Sequence, residues 1–399
     1  MSTFVLEIGT EELPARFLAN VEKELAERFT LGLEEAGYAF SRLDTCATPR
    51  RSVVIVEGLD DIQPTKEELV MGPPARIAFD AEGKPTKAAQ GFAKTLGVDV
   101  TSLSRTQTEK GEYLSGMKKT GGVPTLDVLA VLCPSVIAAL PFAKRMHWGD
   151  GDFAFARPIR WMLALLGDTV VPFEIGKVTS GRTTQGHRVL GPGPFIIRTA
   201  SEYVPTIVNE GKVQLKAGER REYIVSEGNR IAEAAGGRII WIEGLLDEVQ
   251  GLVECPVPLL GDFDPSFLEL PREVLLTSMQ EHQKSFGVED AQGNLLPHFL
   301  TVLNLHPKDL SLVKKGWERV LRARLEDGRF FWKTDLEATF EQWLDSLDSV
   351  TFLAPLGSMG DKTRRVAMLC RWLAEQVGQD MEQAARAGRL SKADLVSAM

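Results

Sequence analysis

Residues 271–286 read PREVLLTSMQEHQKSF, followed by a turn, GVEDAQGN (287–294), an apolar strand, LLPHFLTVLNL (295–305), and then KKGWERVLRARLEDGRFFWK (314–333). No other stretch of the chain packs charged and amide side chains so tightly between apolar anchors. On a helix over 272–284, Leu275, Met279 and His282 recur at i, i+4 and i+7 and share one strip. Gln280, Gln283 and Lys284 fall on a neighbouring strip, which is exposed if the first is buried. A second helix, from Trp317 to about Trp332, puts Trp317, Val320, Leu321, Leu325, Phe331 and Trp332 on one arc. Arg319, Arg322 and Arg329 lie opposite, beside Glu318 and Glu326. Arg324 falls inside the apolar arc. A guanidinium buried there needs a carboxylate, a carbonyl or a partner molecule, and Asp327 or Asp335 is within reach. Two readings follow: a core helix with a solvated face and one structural salt bridge, or a surface that grips a phosphate backbone or another subunit.

Toward the N-terminus, Phe4–Ile8 alternates like a strand, and GTEELP turns into a helix that Thr10 is placed to cap. Phe17, Val21, Leu25, Phe29 and Leu33 form a helical stripe that Gly37 ends. SRLDTCATPRR reads as a loop, Ser52–Val56 as a strand, and Arg50 and Arg51 as its solvated end. Residues 124–140 read as a helix broken near Pro134, and residues 105–119 as a hairpin turning at Glu109–Gly111. Cys255–Leu260 carries two prolines and reads as an edge strand. Beyond Trp317 strand signals vanish, and Ser391 with Asp394 has the spacing of a capping box. The fold expected is α+β and multi-domain: an N-terminal β–α–β element over 1–60, a mixed body over 61–315 that can include it, and an all-helical domain over 316–399. That domain is expected to be truncated, because its last helix has barely begun at Met399.

A chain of 399 residues with 44% hydrophobic and 25% charged residues is that of an ordinary globular protein of two or three domains. A net charge of −9 excludes a generally basic, indiscriminate nucleic-acid binder, so any RNA contact must come from local basic strips. Cys46, Cys133, Cys255 and Cys370 have no zinc spacing and imply buried thiols in a reducing compartment. The acidic start is no signal peptide, and the longest apolar run is too short to span a bilayer, so a cytoplasmic chain without membrane contact is expected. There is no dinucleotide fingerprint, phosphate-binding loop, nucleophile elbow or zinc-protease motif. The five histidines, His147, His187, His282, His298 and His306, stand in five contexts. His187 reads as a hydrogen-bonded structural residue. The residues alone point to a non-catalytic scaffold with discrete basic strips.

The segments EIGTEELPA, ATPRR, RPIRW, GRTTQGHRVLGPG, LVECPVPLLGDFDPSFLELPREVLLTSMQEHQKSF, ERVLRARLEDGRFFW, PLGS with DKTRRV, and SKADLVSAM resemble, in order and across the whole chain, the β subunit of the bacterial two-subunit glycyl-tRNA synthetase. The resemblance implies a B3/B4-like α+β body followed by an HD-like helical domain. It implies an α-subunit partner in an α2β2 enzyme, binding of tRNA(Gly) but not DNA, and no cofactor on this chain, with ATP and Mg used by the α subunit. The tRNA-binding candidates are Arg272, His282, Gln283, Lys284, Arg319, Arg322 and Arg329. Arg324, Asp327 and Asp394 are expected to serve structure or domain docking, with Arg324 buried and paired. No catalytic or metal-binding residue is expected. The His–Asp pair that names the HD superfamily would fall at Ala393–Asp394, and no histidine follows His306, so Asp394 is expected to cap a helix rather than bind an ion. Two departures stand out: Ser285 replaces the family's usual aromatic, and Trp317 its usual Asn. The alternatives are a hydrolytic editing pocket or a pure assembly scaffold.

Overall fold

The computed structural model describes residues 2–80, 83–108, 111–149 and 151–399. The chain is mixed α and β and divides into two compact units, Met1–Tyr223 with Asp247–Pro256, and Ile224–Leu246 with Val257–Met399. It passes from the first to the second within the helix Ala217–Ala234.

The first unit is built on a seven-stranded sheet whose centre is Ser2–Thr10, flanked by Ile159–Leu166 on one side and Arg51–Leu59 on the other. The pairings around the central strand are antiparallel, with Glu7 opposite both Val53 and Leu163. Period-two alternation sends Phe4, Leu6 and Ile8 to one face, where Val21, Leu25, Phe29 and Leu33 of the helix Ala15–Glu35 cover them. Val5, Val53, Leu163 and Leu165 face the other way, against Tyr203 and Ile207 of the helix Tyr203–Asn209. Both faces are therefore covered along the middle of these strands, and a charged residue there, such as Glu7 or Arg51, is cut off from water.

Several local expectations change. Arg42–Thr48, read as loop, is a strand paired along Arg51–Leu59, because the neighbouring edge supplies the ladder that its own polar pattern does not advertise. Thr10 is buried and caps nothing; Pro14 occupies the N-cap of the first helix. The helix Thr125–Ala139 runs through Pro134 instead of breaking there. Its buried residues Leu129, Cys133, Val136 and Ile137 pack on the sheet core, so tertiary burial outweighs the lost backbone bond. A smaller sheet, Lys66–Pro74, Gly111–Thr120 and Ser104–Thr108, packs with the helix Lys87–Leu96 around Ala78, Ala89 and Leu114. The last two strands pair as a hairpin, and the expected turn positions Glu109 and Lys110 lie outside the described residues.

The second unit holds a four-stranded antiparallel sheet in the order Arg238–Ile239, Phe286–Glu289, Leu295–Leu303, Val257–Asp262. The strand carrying Pro258 is at the edge, as its prolines require. Phe263, Phe267, Leu270, Leu275, Met279 and Phe299 form its core with Leu321 and Leu325 of the helix Leu310–Glu337. The helices Phe340–Ser346, Met359–Gln376 and Met381–Leu390 follow, interrupted by a short ladder of Thr351–Leu353 with Gly357–Ser358. The stretch is thus helical with one small β ladder, not all-helical.

Candidate nucleic-acid interface

The helix at Arg272 keeps α geometry only to Thr277 and then widens into a π turn over Ser278–His282. Leu275 and Met279 are buried as their spacing requires, but the wider turn rotates His282 out to solvent. The chain closes against the helix end through the Ser285 N–H, which donates to the Met279 carbonyl at 3.0 Å. Lys284 sits in the left-handed region at φ 51°, and both Gln283 and Lys284 are half-buried. Ser285 is buried, its hydroxyl donating to the Gln283 carbonyl. Arg272 is engaged structurally: one guanidinium nitrogen lies 2.6 Å from the Glu289 carboxylate and another donates to the Gly293 carbonyl.

The helix Leu310–Glu337 is longer at both ends than the sequence suggested and is capped by the Asp309 carboxylate, which accepts from the Leu312 N–H. Its buried residues are Leu321, Leu325 and Gly328, with Trp317 and Trp332 packed beside them. At 3.6 residues per turn this stripe spans about 40° to either side of Leu321, and Arg324 lies about 60° off its centre. The expectation that Arg324 is buried is therefore overturned: its side chain is 55% exposed, and its one ion pair is a 4.0 Å approach to Asp327, itself exposed. Asp394 is corrected too. Ala393–Val396 is a short 3-10 turn begun at Lys392 with no side-chain cap, so Asp394 caps nothing. The capping boxes form instead at Thr339–Gln342 and Ser358–Asp361.

Of the basic candidates, Arg319 and Arg322 are exposed, and Lys315 stands exposed beside them. Arg329 is held against the Pro265–Glu269 turn, 3.2 Å from the Glu269 carboxylate, with its guanidinium 4.1 Å from the Phe267 ring centre and a bond to the Ser266 hydroxyl. Residues 314–333 carry seven Lys and Arg against three Asp and Glu in a chain of net charge −9. That local excess of positive charge is what an anionic backbone is drawn to. Among the described residues no group of three or more His, Cys, Asp or Glu could hold a metal.

The first unit contains a cluster that reading along the chain did not find. Arg51, expected at a solvated strand end, is fully buried, 3.0 Å from Glu7 and 3.0 Å from Glu254. It also donates to the Gln185 and Gly186 carbonyls, while the Thr48 hydroxyl donates to Glu254. Burial opposes the Arg51 charge, but Glu254 and Glu7 outweigh it and hold the guanidinium above its usual range. Burial also raises Glu7, more than Arg51 and the neighbouring Thr184, Trp161 and Tyr203 lower it. For Glu254, burial is overcome by Arg51 and the Thr48 hydroxyl, and the carboxyl stays below the ordinary range. The Trp161 indole lies across Gly9, where an added Cβ would fall 2.0 Å from the ring, and Arg50 stacks 5.5 Å from its centre. His187 is buried with Nδ1 accepting from the Val189 and Leu190 N–H groups, which is the structural role expected and leaves the ring proton on Nε2. Arg220 is a second buried guanidinium, donating to the Ala47, Gln214, Leu215 and Gln250 carbonyls. The Arg51 partners lie 44 and 203 residues away, a separation that no local pattern reports. The one available signal was that EIGTEELPA, ATPRR, RPIRW, GRTTQGH and LVECP each contribute a residue to this cluster.

Comparison with known proteins gives the arrangement its family. The family described as glycyl-tRNA synthetase beta subunit matches residues 4–399. A protein of Nitratidesulfovibrio vulgaris (strain DSM 19637 / Miyazaki F) named glycine–tRNA ligase beta subunit is 63% identical over 400 residues, covering 100% of this chain and 57% of that protein. Relatives of the same name from Lawsonia intracellularis and Geobacter sulfurreducens are 53% and 44% identical, covering 100% and 99% of this chain and 58% and 57% of their own lengths. The chain thus spans a little over half the length of the curated relatives it matches. With that family matched over residues 4–399 and a relative of the same name 63% identical along the whole chain, the chain belongs to the glycyl-tRNA synthetase beta subunit family.

Proposed function

We propose that this chain is the non-catalytic, tRNA-binding and assembly part of a glycine–tRNA ligase. Its partner is an α subunit in an α2β2 enzyme that uses ATP and Mg to attach glycine to tRNA(Gly). In this reading residues 61–315, with the N-terminal element, form the B3/B4-like body, and residues 316–399 belong to the HD-like domain. The family match supports the subunit role. The observation that carries tRNA binding is the exposed cationic face of the helix Leu310–Glu337, with Lys315, Arg319 and Arg322 in solvent on an otherwise acidic chain. Such a face neutralises phosphates and releases counterions, so affinity falls steeply with salt.

The test is titration of the chain with tRNA(Gly) at 50 and 200 mM salt. The double substitution Arg319→Ala with Arg322→Ala lowers the salt slope by about two and weakens binding, about one unit of slope per phosphate contact. Both residues are exposed, so stability shifts by no more than about 0.5 kcal/mol. Affinity that is flat with salt, or unmoved by the double substitution, overturns the reading.

A further inference from the structure

The second unit leaves an open groove of about 410 Å³ lined by Gln283, Val313, Gly316, Trp317 and Val320. Its wall is almost wholly apolar, with one aromatic side chain and one amide. Three features distinguish it from an ordinary surface crease. Gly316 presents bare backbone, and a Cβ built there meets nothing within 4 Å, so the space is open rather than packed. Val320 is 49% exposed on the same side of the helix, a poor surface residue unless something covers it. Arg324, one turn beyond Val320, stands exposed at the end of the groove with only the 4.0 Å approach to Asp327. At the opposite side, His282 is in solvent next to Gln283.

An apolar floor with an aromatic wall, an amide at its edge and an exposed guanidinium, Arg324, one helical turn beyond Val320 is what a single nucleotide requires. A base has an apolar π face and a polar rim, and its phosphate carries the charge. We propose that this groove takes one unstacked nucleotide of the bound tRNA, with its base against Trp317, its polar rim toward the Gln283 amide and its phosphate toward Arg324. The occupant is RNA rather than an apolar protein side chain because the helix segment 314–333 that forms most of the groove carries seven Lys and Arg against three Asp and Glu on an acidic chain, with Arg324 exposed, which favours a polyanion. The proposal deepens the tRNA-binding reading and rests on it. It also assigns Arg324 a place: it projects beside the apolar stripe because it serves the groove and not the core.

Gly316→Leu tests it cleanly. The Cβ of the new side chain meets nothing within 4 Å, and replacing glycine within a helix raises its stability, so loss of fold does not confound the result. With the full chain and tRNA(Gly), Gly316→Leu is expected to weaken binding about tenfold, within the range of one lost base–aromatic stack, at an unchanged salt slope. Arg324→Gln is expected to lower the slope by about one. If Gly316→Leu binds tRNA as the parent does, the groove proposal is overturned while the tRNA reading stands. If the parent itself shows no salt-dependent tRNA binding, both fall. If Gly316→Leu leaves tRNA binding intact but abolishes association with the α subunit, the groove is a protein-docking site and the nucleotide assignment is overturned.

Discussion

Arg51 concentrates the problem of burying charge. Two glutamates, two carbonyls and a fully enclosed guanidinium meet on one face of the first sheet, and removing the cation would leave Glu7 and Glu254 buried without their counter-charge. Arg51→Ala is expected to cost about 3–5 kcal/mol in denaturant unfolding. The two carboxylates respond to pH in opposite senses. Glu254, held below the ordinary range by Arg51 despite burial, contributes stability that is present above the unfolded carboxylate pKa and lost as pH falls through its folded value. Glu7, raised by burial, contributes stability that is fully present below the unfolded pKa and lost as pH rises through its folded value. Glu254→Gln therefore destabilises most at neutral pH and least in acid. Glu7→Gln compares more favourably with the parent at pH 7 than at pH 4, and thermal melts of both variants across that interval check the signs. Gly186, whose carbonyl accepts from Arg51, has no room for a side chain: a Cβ there would fall 2.1 Å from the Gly191 carbonyl oxygen and 2.5 Å from the Gly211 Cα. Gly186→Ala must move backbone and is expected to cost about 1–3 kcal/mol.

At the level of elements, the helix Leu310–Glu337 separates what a periodic pattern can state from what it cannot. Its existence and the burial of Leu321 and Leu325 follow from spacing alone. The width of the buried arc does not, because it depends on how much of the helix the sheet and the turn at Pro265–Glu269 reach. Arg324, Val320 and Phe331 were assigned to that arc and are exposed. The π turn at Ser278–His282 was equally invisible, and it moved His282 from the buried strip to the surface. Leu325→Ala is expected to cost about 2–5 kcal/mol by opening a cavity in the core of the second unit. The helix Met359–Gln376 offers a contrast, since Met368, Leu369, Trp372 and Leu373 are each more than half exposed. Leu369→Glu with Leu373→Glu is expected to leave the unfolding free energy within about 0.5 kcal/mol per site and to raise solubility, which melting and light scattering measure.

At the scale of the molecule, the two compact units have cores of separate composition, one around Phe4, Leu25 and Phe29 and the other around Phe267, Phe299 and Leu325. Calorimetric unfolding is expected to depart from a two-state transition, with Arg51→Ala lowering one component and Leu325→Ala the other. Net charge is also a whole-molecule property. At −9 it keeps the chain from binding nucleic acid indiscriminately and leaves the cationic helix as a local exception.

The sequence by itself determined the mixed α and β class, the apolar stripe of the first helix, the edge strand at Pro258, the structural His187 and the family. Each depends on residues near one another in the chain or on ordered segments compared as wholes. Only the tertiary structure decided that Arg51 is buried, that Arg42–Thr48 is a strand, that Arg272 and Arg329 are tied to neighbouring elements, and that Arg324 stands beside an open groove. Those outcomes depend on which distant groups arrive within 3–4 Å. A charged residue is buried or solvated according to the partners that the fold brings to it, and neither its type nor its local spacing specifies them.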